Sequence, residues 1–343
     1  MFDICQIEVG VVIALMLASW GLSIVNCAIL KRARVFDQPN QRSSHKDVVV
    51  RGGGLVPLVL TVGYCSFVGR FPLGCAGLLG IGVVALISFI DDVRSLSARV
   101  RIVLHLAGAL CLAGALHANA GESGLVPMVW FVVTVPWIIY FLNIYNFMDG
   151  INGLATMQTI VSSVAGVLVL VVSGSREELA MESILLQVCL AATCLGFLPY
   201  NFPKARLFLG DVGSTFFGMV SGLMVLIAWQ LGGWVYGVVM IGVHLNFILD
   251  TGITIIRRLI WGHAIHEAHR EHFYQRAVRA GMSHLKVTSL EASMQLVASG
   301  LLIATAVKFG EGVLFAFFGV AVLWIGVFLC FDKAFQNESK KEI

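Results

Sequence analysis

Residues 73–92 read LGCAGLLGIGVVALISFIDD, an apolar run that ends in two adjacent carboxylates. About 20 apolar residues in a helix are enough to cross the hydrocarbon core of a bilayer. The run therefore predicts a spanning helix whose last residues, Asp91 and Asp92, lie at a membrane boundary. Two carboxylates are costly to desolvate there unless a divalent cation or water compensates them. A metal site is one interpretation of the pair, and a solvated helix end is the other.

The rest of the chain has the same apolar character. Hydrophobic residues make up 58% of the 343 residues and charged residues 13%, against about 25% charged in soluble domains. We expect one all-α integral membrane domain over residues 1–343, with about eleven spans, or ten if the segments on either side of Arg70 form one. The first residues, MFDICQIE, lack a basic region and predict an uncleaved first helix. The expected spans are 7–30, 52–69, 73–90, 102–120, 125–142, 151–173, 180–199, 213–230, 232–256, 289–307 and 312–331.

Basic residues predict the orientation of these spans. Of the 23 lysines and arginines, all but Arg70, Arg176 and Lys308 fall in alternate loops or in the C-terminal tail. The positive-inside rule assigns those loops to the cytoplasm and the N-terminus to the outside. The same loops carry every motif-like segment, so we expect catalytic chemistry at the cytoplasmic face.

Two of these loops contain an aspartate among glycines. Asp149 lies in NFMDGING, where Asn143, Asn146 and Asn152 add amide groups, and glycines allow a backbone to approach a ligand closely. Asn152 could equally cap the next helix. Asp211 lies in LGDVGS, where it either caps a helix or contacts a metal or phosphate at the helix N-terminus.

Together these acids provide the hard oxygen ligands that Mg²⁺ prefers, with Mn²⁺ as an alternative. The metal ligands we expect are Asp92, Asp149 and Asp211. Four basic residues in the same loops suit an anionic substrate, although the positive-inside rule explains them equally well. They are Lys46, Arg51, Lys204 and Arg206.

The last of the motif-bearing loops contains four histidines at intervals of three residues. On a helix this spacing turns by about 60° per step, so the four cannot share one site. His269 and His272, with Arg270, suit phosphate contacts, whereas His263 and His266 suit an interfacial structural role. Asp250 lies within an apolar segment, either supporting the site or pairing with Arg257 or Arg258.

Five segments in order resemble the polyprenyl-phosphate N-acetylaminosugar-1-phosphate transferases. They are DQPNQRSSHKDVVVRGGG, DDVRSLS, NIYNFMDGINGLA, NFPKARLFLGDVGST and the histidine loop. The resemblance runs from Asp37 to about Gly281. This chain differs from many members in having Asn152 in place of an acid, and Glu271 at the third position of the histidine cluster. The form HREHFYQRA is closest to the O-antigen-initiating branch.

The resemblance implies an activity and its site residues. Family members move a sugar 1-phosphate from a UDP-N-acetylaminosugar to undecaprenyl phosphate, release UMP and use Mg²⁺. The resemblance implies catalytic roles for Asp91, Asp92 and Asp211. It also implies that the protein lies in the bacterial inner membrane and catalyses the first membrane step of O-antigen or related polysaccharide synthesis. We expect a lipid bilayer but no nucleic acid as a partner, and leave a homodimer open. The substrate contacts it implies are Arg51, Asn146, Asp149, Asn152, His269, Arg270 and His272.

Two other classes of protein compete with a transferase. An intramembrane carboxylate and glycine-interrupted helices also suit a transporter, and a non-catalytic scaffold would need no metal. A transporter, however, should place charge near the membrane midplane with access from both sides, and this sequence concentrates it at one face. Within the transferase hypothesis, Asp91 either activates the lipid phosphate or forms a covalent intermediate.

Overall fold

The fold is a bundle of long apolar helices with one very small sheet. A computed structural model describes residues 9–38, 47–120, 125–263 and 269–340. The helices in these ranges are α1 (Val9–Arg32), α2 (Leu55–Phe67), α3 (Gly74–Val93), α4 (Ala98–Ala120), α5 (Leu125–Met148), α6 (Leu154–Ser173), α7 (Glu178–Asn201), α8 (Gly210–Gly232), α9 (Trp234–Gly242), α10 (Leu245–Ile260), α11 (Phe273–Arg279), α12 (His284–Phe309) and α13 (Val313–Ser339). The strands are β1 (Phe36–Asp37), β2 (Val49–Arg51) and β3 (Leu207–Phe208).

The helices confirm an all-α, multi-pass membrane protein. Within the described ranges, eight helical stretches are long and apolar enough to cross a membrane, or nine if the bent pair α9 and α10 counts as one span. One of the eight, His284–Ser339, is divided into α12 and α13 by a 3-10 turn at Gly310–Gly312. Each of the eleven expected segments contains helix, but α2 has only 13 residues, or about 20 Å of rise. The count of eleven spans therefore stays a prediction.

The central helix of the bundle is α8. Nearly every residue from Gly210 to Ala228 is buried, and α8 packs against α3, α5, α6 and α9. A helix that is apolar on all sides belongs in such a position because it has no polar face to present to water. The first turn of α8 consequently lies inside the bundle, at the end where α3 and α5 finish and α4 begins. We call this end the site end.

The ninth expected span is broken in the structure. The segment predicted as 232–256 forms α9 and α10, which meet at an angle of 70° near Val243 and His244. The segment contains no proline, and the polar residues His244 and Asn246 at the break do not by themselves predict a bend of this size. Its consequence is that α10 carries Asp250 away from the axis of α9 and toward the histidine loop.

A three-stranded sheet ties two of the expected cytoplasmic loops together. Strand β1 pairs antiparallel with β2, and β2 pairs parallel with β3, with Arg51 opposite Phe208. Each strand has only two or three residues, which is too short for the alternating pattern that predicts strands from sequence. The pairing places Arg51 beside the segment that leads into Asp211.

Two glycines allow the start of α2 to touch the start of α8. A Cβ atom on Gly54 would lie 2.2 Å from the Cα of Gly213, a separation that real atoms do not reach. The glycine-rich RGGG and GDVG segments therefore serve helix packing at the site end in addition to any contact with a ligand.

We expect Gly54→Ala to destabilise the protein by about 1–3 kcal/mol, the usual cost of overpacking. Gly63→Ala on the same helix is the matched control, because its Cβ would meet nothing within 4 Å. Thermal unfolding of the purified proteins in detergent measures both. Equal stability of the two variants would contradict the close contact between α2 and α8.

Candidate active site

Asp92 anchors the first turn of α8. It accepts hydrogen bonds from the backbone N–H groups of Asp211 at 2.8 Å and Val212 at 3.0 Å. Its Oδ1 also lies 2.6 Å from Nε of Arg51, and its side chain is fully buried. The carboxylate thus satisfies N–H groups that have no partner inside the helix, at the positive end of the helix dipole. These contacts join α3 to α8, and the metal contact of Asp92 stays a prediction.

Asp211 presents its carboxylate to the interior of the site end. Its Oδ1 accepts hydrogen bonds from Nη2 of Arg51 and Nδ2 of Asn146, each at 2.9 Å. Its Oδ2 lies 3.9 Å from Nη1 of Arg101. The alternative in which Asp211 caps its own helix is wrong, because the side chain of Asp92 fills that position. Asp211 is therefore free of a capping role and partly exposed.

Asp91 and Asp211 share one cation. Nη1 of Arg101 donates to Oδ2 of Asp91 at 3.0 Å, while the N–H of Leu96 donates to Oδ1 at 2.6 Å. The side chain of Arg101 is 40% exposed, so it is accessible to a ligand. Arg101 thus balances two carboxylates at the surface of the site and can also meet an incoming anion.

Arg51 is held mainly by acids of the protein. Burial alone would lower the pKa of its guanidinium, but Asp211 and Asp92 more than offset this and raise the pKa above its usual value. The cation therefore stays charged and fixes the relative position of the two carboxylates. Contact of Arg51 with a substrate, which we expected from the sequence, stays a prediction.

Asp149 and Asn152 occupy different surroundings. Asp149 follows the end of α5, where burial, and then repulsion from Asp211 and Asp92, raise its pKa well above the usual value. Asn152 is directed away from these acids, because its Nδ2 donates to the carbonyl of Pro203 at 3.0 Å. It does not cap α6 either, since Gly153 occupies the N-cap.

The histidine loop brings two of its members together. The rings of His269 and His272 lie 5.0 Å apart between centroids, and both line the same cavity. Burial, helped by His272 and Arg258, lowers the pKa of His269 to about 4, so this ring is neutral at physiological pH. Arg270 is absent from the described residues that line the cavity. The carbonyl of Arg270 accepts from Arg279 at 3.4 Å.

Asp250 has a partner that the sequence did not suggest. Its Oδ1 lies 2.9 Å from Nδ1 of His272. The alternative in which Asp250 pairs with Arg257 or Arg258 is wrong, because Arg258 contacts Glu271 at 2.6 Å and Arg257 lies 3.9 Å from Asp332.

The remaining two histidines of the loop and Lys46 were also named from the sequence. His263 lies beside Trp261 and 3.7 Å from Glu271, and its structural role stays a prediction. His266 and Lys46 lie outside the described residues.

A cavity of about 460 Å³ connects these groups at the site end. Of the expected residues, it brings together Asp91, Asn146, Asp211, His269 and His272. Its other polar walls include Arg101, His105 and Gln275, which the sequence did not single out. Arg101 and His105 are four residues apart on α4, so they share one helix face. His105 lies inside the expected span 102–120, where a histidine was the available signal, whereas Arg101 was expected in the preceding loop. Ile102, Ile139 and Leu142 give the cavity an apolar wall.

The chain is similar to known proteins of one kind. Residues 75–229 match the model of the family described as glycosyl transferase family 4. A probable undecaprenyl-phosphate N-acetylglucosaminyl 1-phosphate transferase of Bacillus subtilis is 27% identical, covering 81% of this chain and 79% of its own length. A decaprenyl-phosphate N-acetylglucosaminephosphotransferase of Mycolicibacterium smegmatis is 26% identical, covering 83% and 78%. An undecaprenyl-phosphate alpha-N-acetylglucosaminyl 1-phosphate transferase of Thermotoga maritima is 28% identical over 58% of this chain and 59% of its own.

We expect Asp149→Asn to raise the melting temperature by a few degrees at neutral pH. An acid whose pKa is raised by folding costs stability once it ionises, and that cost disappears when the pH falls below its pKa in the unfolded chain. The gain over the wild type should therefore be largest at neutral pH and shrink toward pH 4. Thermal unfolding of both proteins across this range measures it. A gain that does not depend on pH would contradict the assigned cause.

Proposed function

We propose, from the premise that this chain belongs to the polyprenyl-phosphate N-acetylaminosugar-1-phosphate transferase family, that it transfers an N-acetylaminosugar 1-phosphate from a UDP-sugar to undecaprenyl phosphate. It is a multi-pass membrane protein and a sugar-phosphate transferase of the glycosyl transferase family 4 type. The release of UMP, the UDP-sugar donor and a place in O-antigen or related polysaccharide synthesis are the finer parts of the proposal.

One observation supports the reaction above the others. Asp91 and Asp211 face a cavity with Arg101 between them, and Ile102, Ile139 and Leu142 give the same cavity an apolar surface. A reaction between a nucleotide-sugar and a lipid phosphate needs charged groups and an apolar surface at one membrane boundary. A site at the ends of the spanning helices meets both requirements. We propose that this end faces the cytoplasm, where the donor is found.

The oxygen ligands that the protein offers in this cavity fit Mg²⁺. Asp91 and Asp211 supply carboxylate oxygens, and Asn143 and Asn146 line the same cavity. No group of three or more metal-binding side chains occurs in the part of the chain that the structure describes. Mg²⁺ is commonly bound through one or two carboxylates, with water and substrate phosphates completing its shell. We propose Asp211 as the principal ligand, and the bound ion would offset charge on the diphosphate.

The residues of the chain then have distinct tasks in the transfer. Asp91 orients the lipid phosphate and accepts its proton as a phosphate oxygen attacks the β-phosphorus. A new phosphorus–oxygen bond forms there, and the bond to the α-phosphate oxygen breaks, which releases UMP. Arg101 can offset the developing charge, since it already lies between the two carboxylates. His269 and His272 line the same cavity and contact the diphosphate.

The donor is tested by offering purified enzyme and undecaprenyl phosphate a panel of UDP-sugars carrying GlcNAc, GalNAc, FucNAc or QuiNAc. We expect one of them to give a lipid-linked product when Mg²⁺ is present and none when it is chelated. We expect Asp211→Asn to lower this transfer by at least about 10²-fold, because it removes the principal metal ligand. Near wild-type, Mg²⁺-dependent transfer by this variant would contradict the role of Asp211.

We expect Arg101→Met to lower kcat/KM by about 10²–10³-fold, the usual cost of removing one charge-stabilising donor from a transition state. The variant leaves Asp91 and Asp211 without their shared cation. Arg99→Met is the matched control, because Arg99 lies two residues away and is exposed. Steady-state kinetics with the preferred donor measure both, and equal activity of the two variants would contradict the role of Arg101.

A further inference from the structure

Asp250 and His272 form a buried pair behind the wall of the site cavity. Asp250 is fully buried on α10, and His272 is almost fully buried at the N-cap of α11. The carboxylate accepts from Nδ1 of His272 at 2.9 Å and from the backbone N–H groups of Phe273 at 3.0 Å and Tyr274 at 3.1 Å. Because three N–H groups converge on it, the carboxylate is held in one orientation as an acceptor.

This geometry decides which ring nitrogen of His272 carries a proton. An anionic oxygen and a ring nitrogen approach to 2.9 Å only when a proton lies between them, so Nδ1 is the donor. Nε2 is then the nitrogen that remains for a ligand. In general, the hydrogen bond made by one ring nitrogen of a histidine sets the protonation of the other nitrogen.

The orientation of the ring is fixed as well as its tautomer. His272 stacks with Phe147 at 6.1 Å and with Tyr274 at 5.8 Å between ring centroids, with interplanar angles of 30° and 21°. Tyr274 is itself secured, because its hydroxyl donates to the carbonyl of Phe147 at 2.8 Å. The ring therefore cannot turn without disturbing the end of α5 that carries Asn146.

We propose that Asp250 is a positioning residue for the transfer, acting through His272. It holds a proton on Nδ1 and directs Nε2 into the cavity, where Nε2 of the doubly protonated ring donates to a phosphate oxygen of the UDP-sugar. This inference rests on the proposed function, because it assigns a diphosphate as the ligand of His272. The break between α9 and α10 makes this contact possible, because the bend near His244 brings α10 to the histidine loop.

Replacing Asp250 with Asn tests this directly. Asn has one oxygen and one NH₂ group in place of two acceptors, so it cannot accept from Nδ1 and from both backbone N–H groups. We expect kcat to fall about 10- to 100-fold, the loss seen when a partner that orients a functional histidine is removed. KM for the UDP-sugar should change much less.

Two comparisons separate positioning from a general loss of structure. Thr251→Val changes a fully buried neighbour on the same helix whose hydroxyl has no partner among the described residues, and it should keep wild-type kcat. In a His272→Asn background, adding Asp250→Asn should lower kcat by less than about twofold further, because the residue through which Asp250 acts is already gone. Independent, multiplying losses in the double variant would overturn the proposal.

A spectroscopic measurement on the wild type does not depend on the folding of an Asp250 variant. In a ¹⁵N-histidine-labelled sample, with the His272 signals assigned by their loss in His272→Asn, we expect the proton on Nδ1. A neutral ring with its proton on Nε2 would overturn the proposal. Failure of the wild type to transfer any sugar phosphate would instead overturn the proposed function, so the two failures are distinguishable.

Discussion

The carboxylate of Asp92 meets the N-terminus of α8 inside the helix bundle, and the arrangement of the site depends on this contact. The first turn of α8 lies among other helices, so its N–H groups need a partner from the protein. Asp92 provides that partner and holds Arg51 at the same time. With both in place, the neighbouring carboxylates of Asp91 and Asp211 are directed into the cavity. The two adjacent acids at the end of α3 thus have different roles: Asp92 joins α3 to α8, and Asp91 faces the cavity.

Charge in this site is only partly balanced by the protein. Arg51 and Arg101 compensate the charges of Asp91, Asp92 and Asp211. Burial raises the pKa of Asp149, so its charged form is disfavoured. Such a surplus of negative charge costs stability, and a divalent cation with an anionic substrate would relieve it. The site is in this sense arranged for groups that arrive with the substrates.

The sequence predicted the parts of this arrangement that are carried by composition and local motifs. Apolar runs long enough to span a bilayer predicted the helices, and the distribution of charge predicted that Asp91, Asn146 and Asp211 would gather at one end of the bundle. These signals are strong because lipid excludes unpaired polar groups. The sequence predicted that Asp91 and Asp211 would lie together, but it also grouped Asp149 with the metal ligands and gave no sign that Asp92 would cap α8.

Contacts between distant elements could not be predicted in the same way. The bend between α9 and α10 lies beside His244 in a stretch without proline, and it decides that Asp250 meets His272 in place of an arginine on its own helix. Arg101 was counted among the basic residues of a loop, and only its approach to Asp91 shows its place in the site. The strand pairing that positions Arg51 spans two or three residues, too few for any periodic pattern.

The most direct test of the central claim follows the two phosphorus atoms of the donor. Purified enzyme is given undecaprenyl phosphate, Mg²⁺ and its preferred UDP-sugar, labelled with ³²P at either the α or the β position. We expect the β label in the lipid product and the α label in UMP. Release of both labels together in UDP would show transfer of the sugar without its phosphate, and would contradict the proposed transfer of a sugar 1-phosphate.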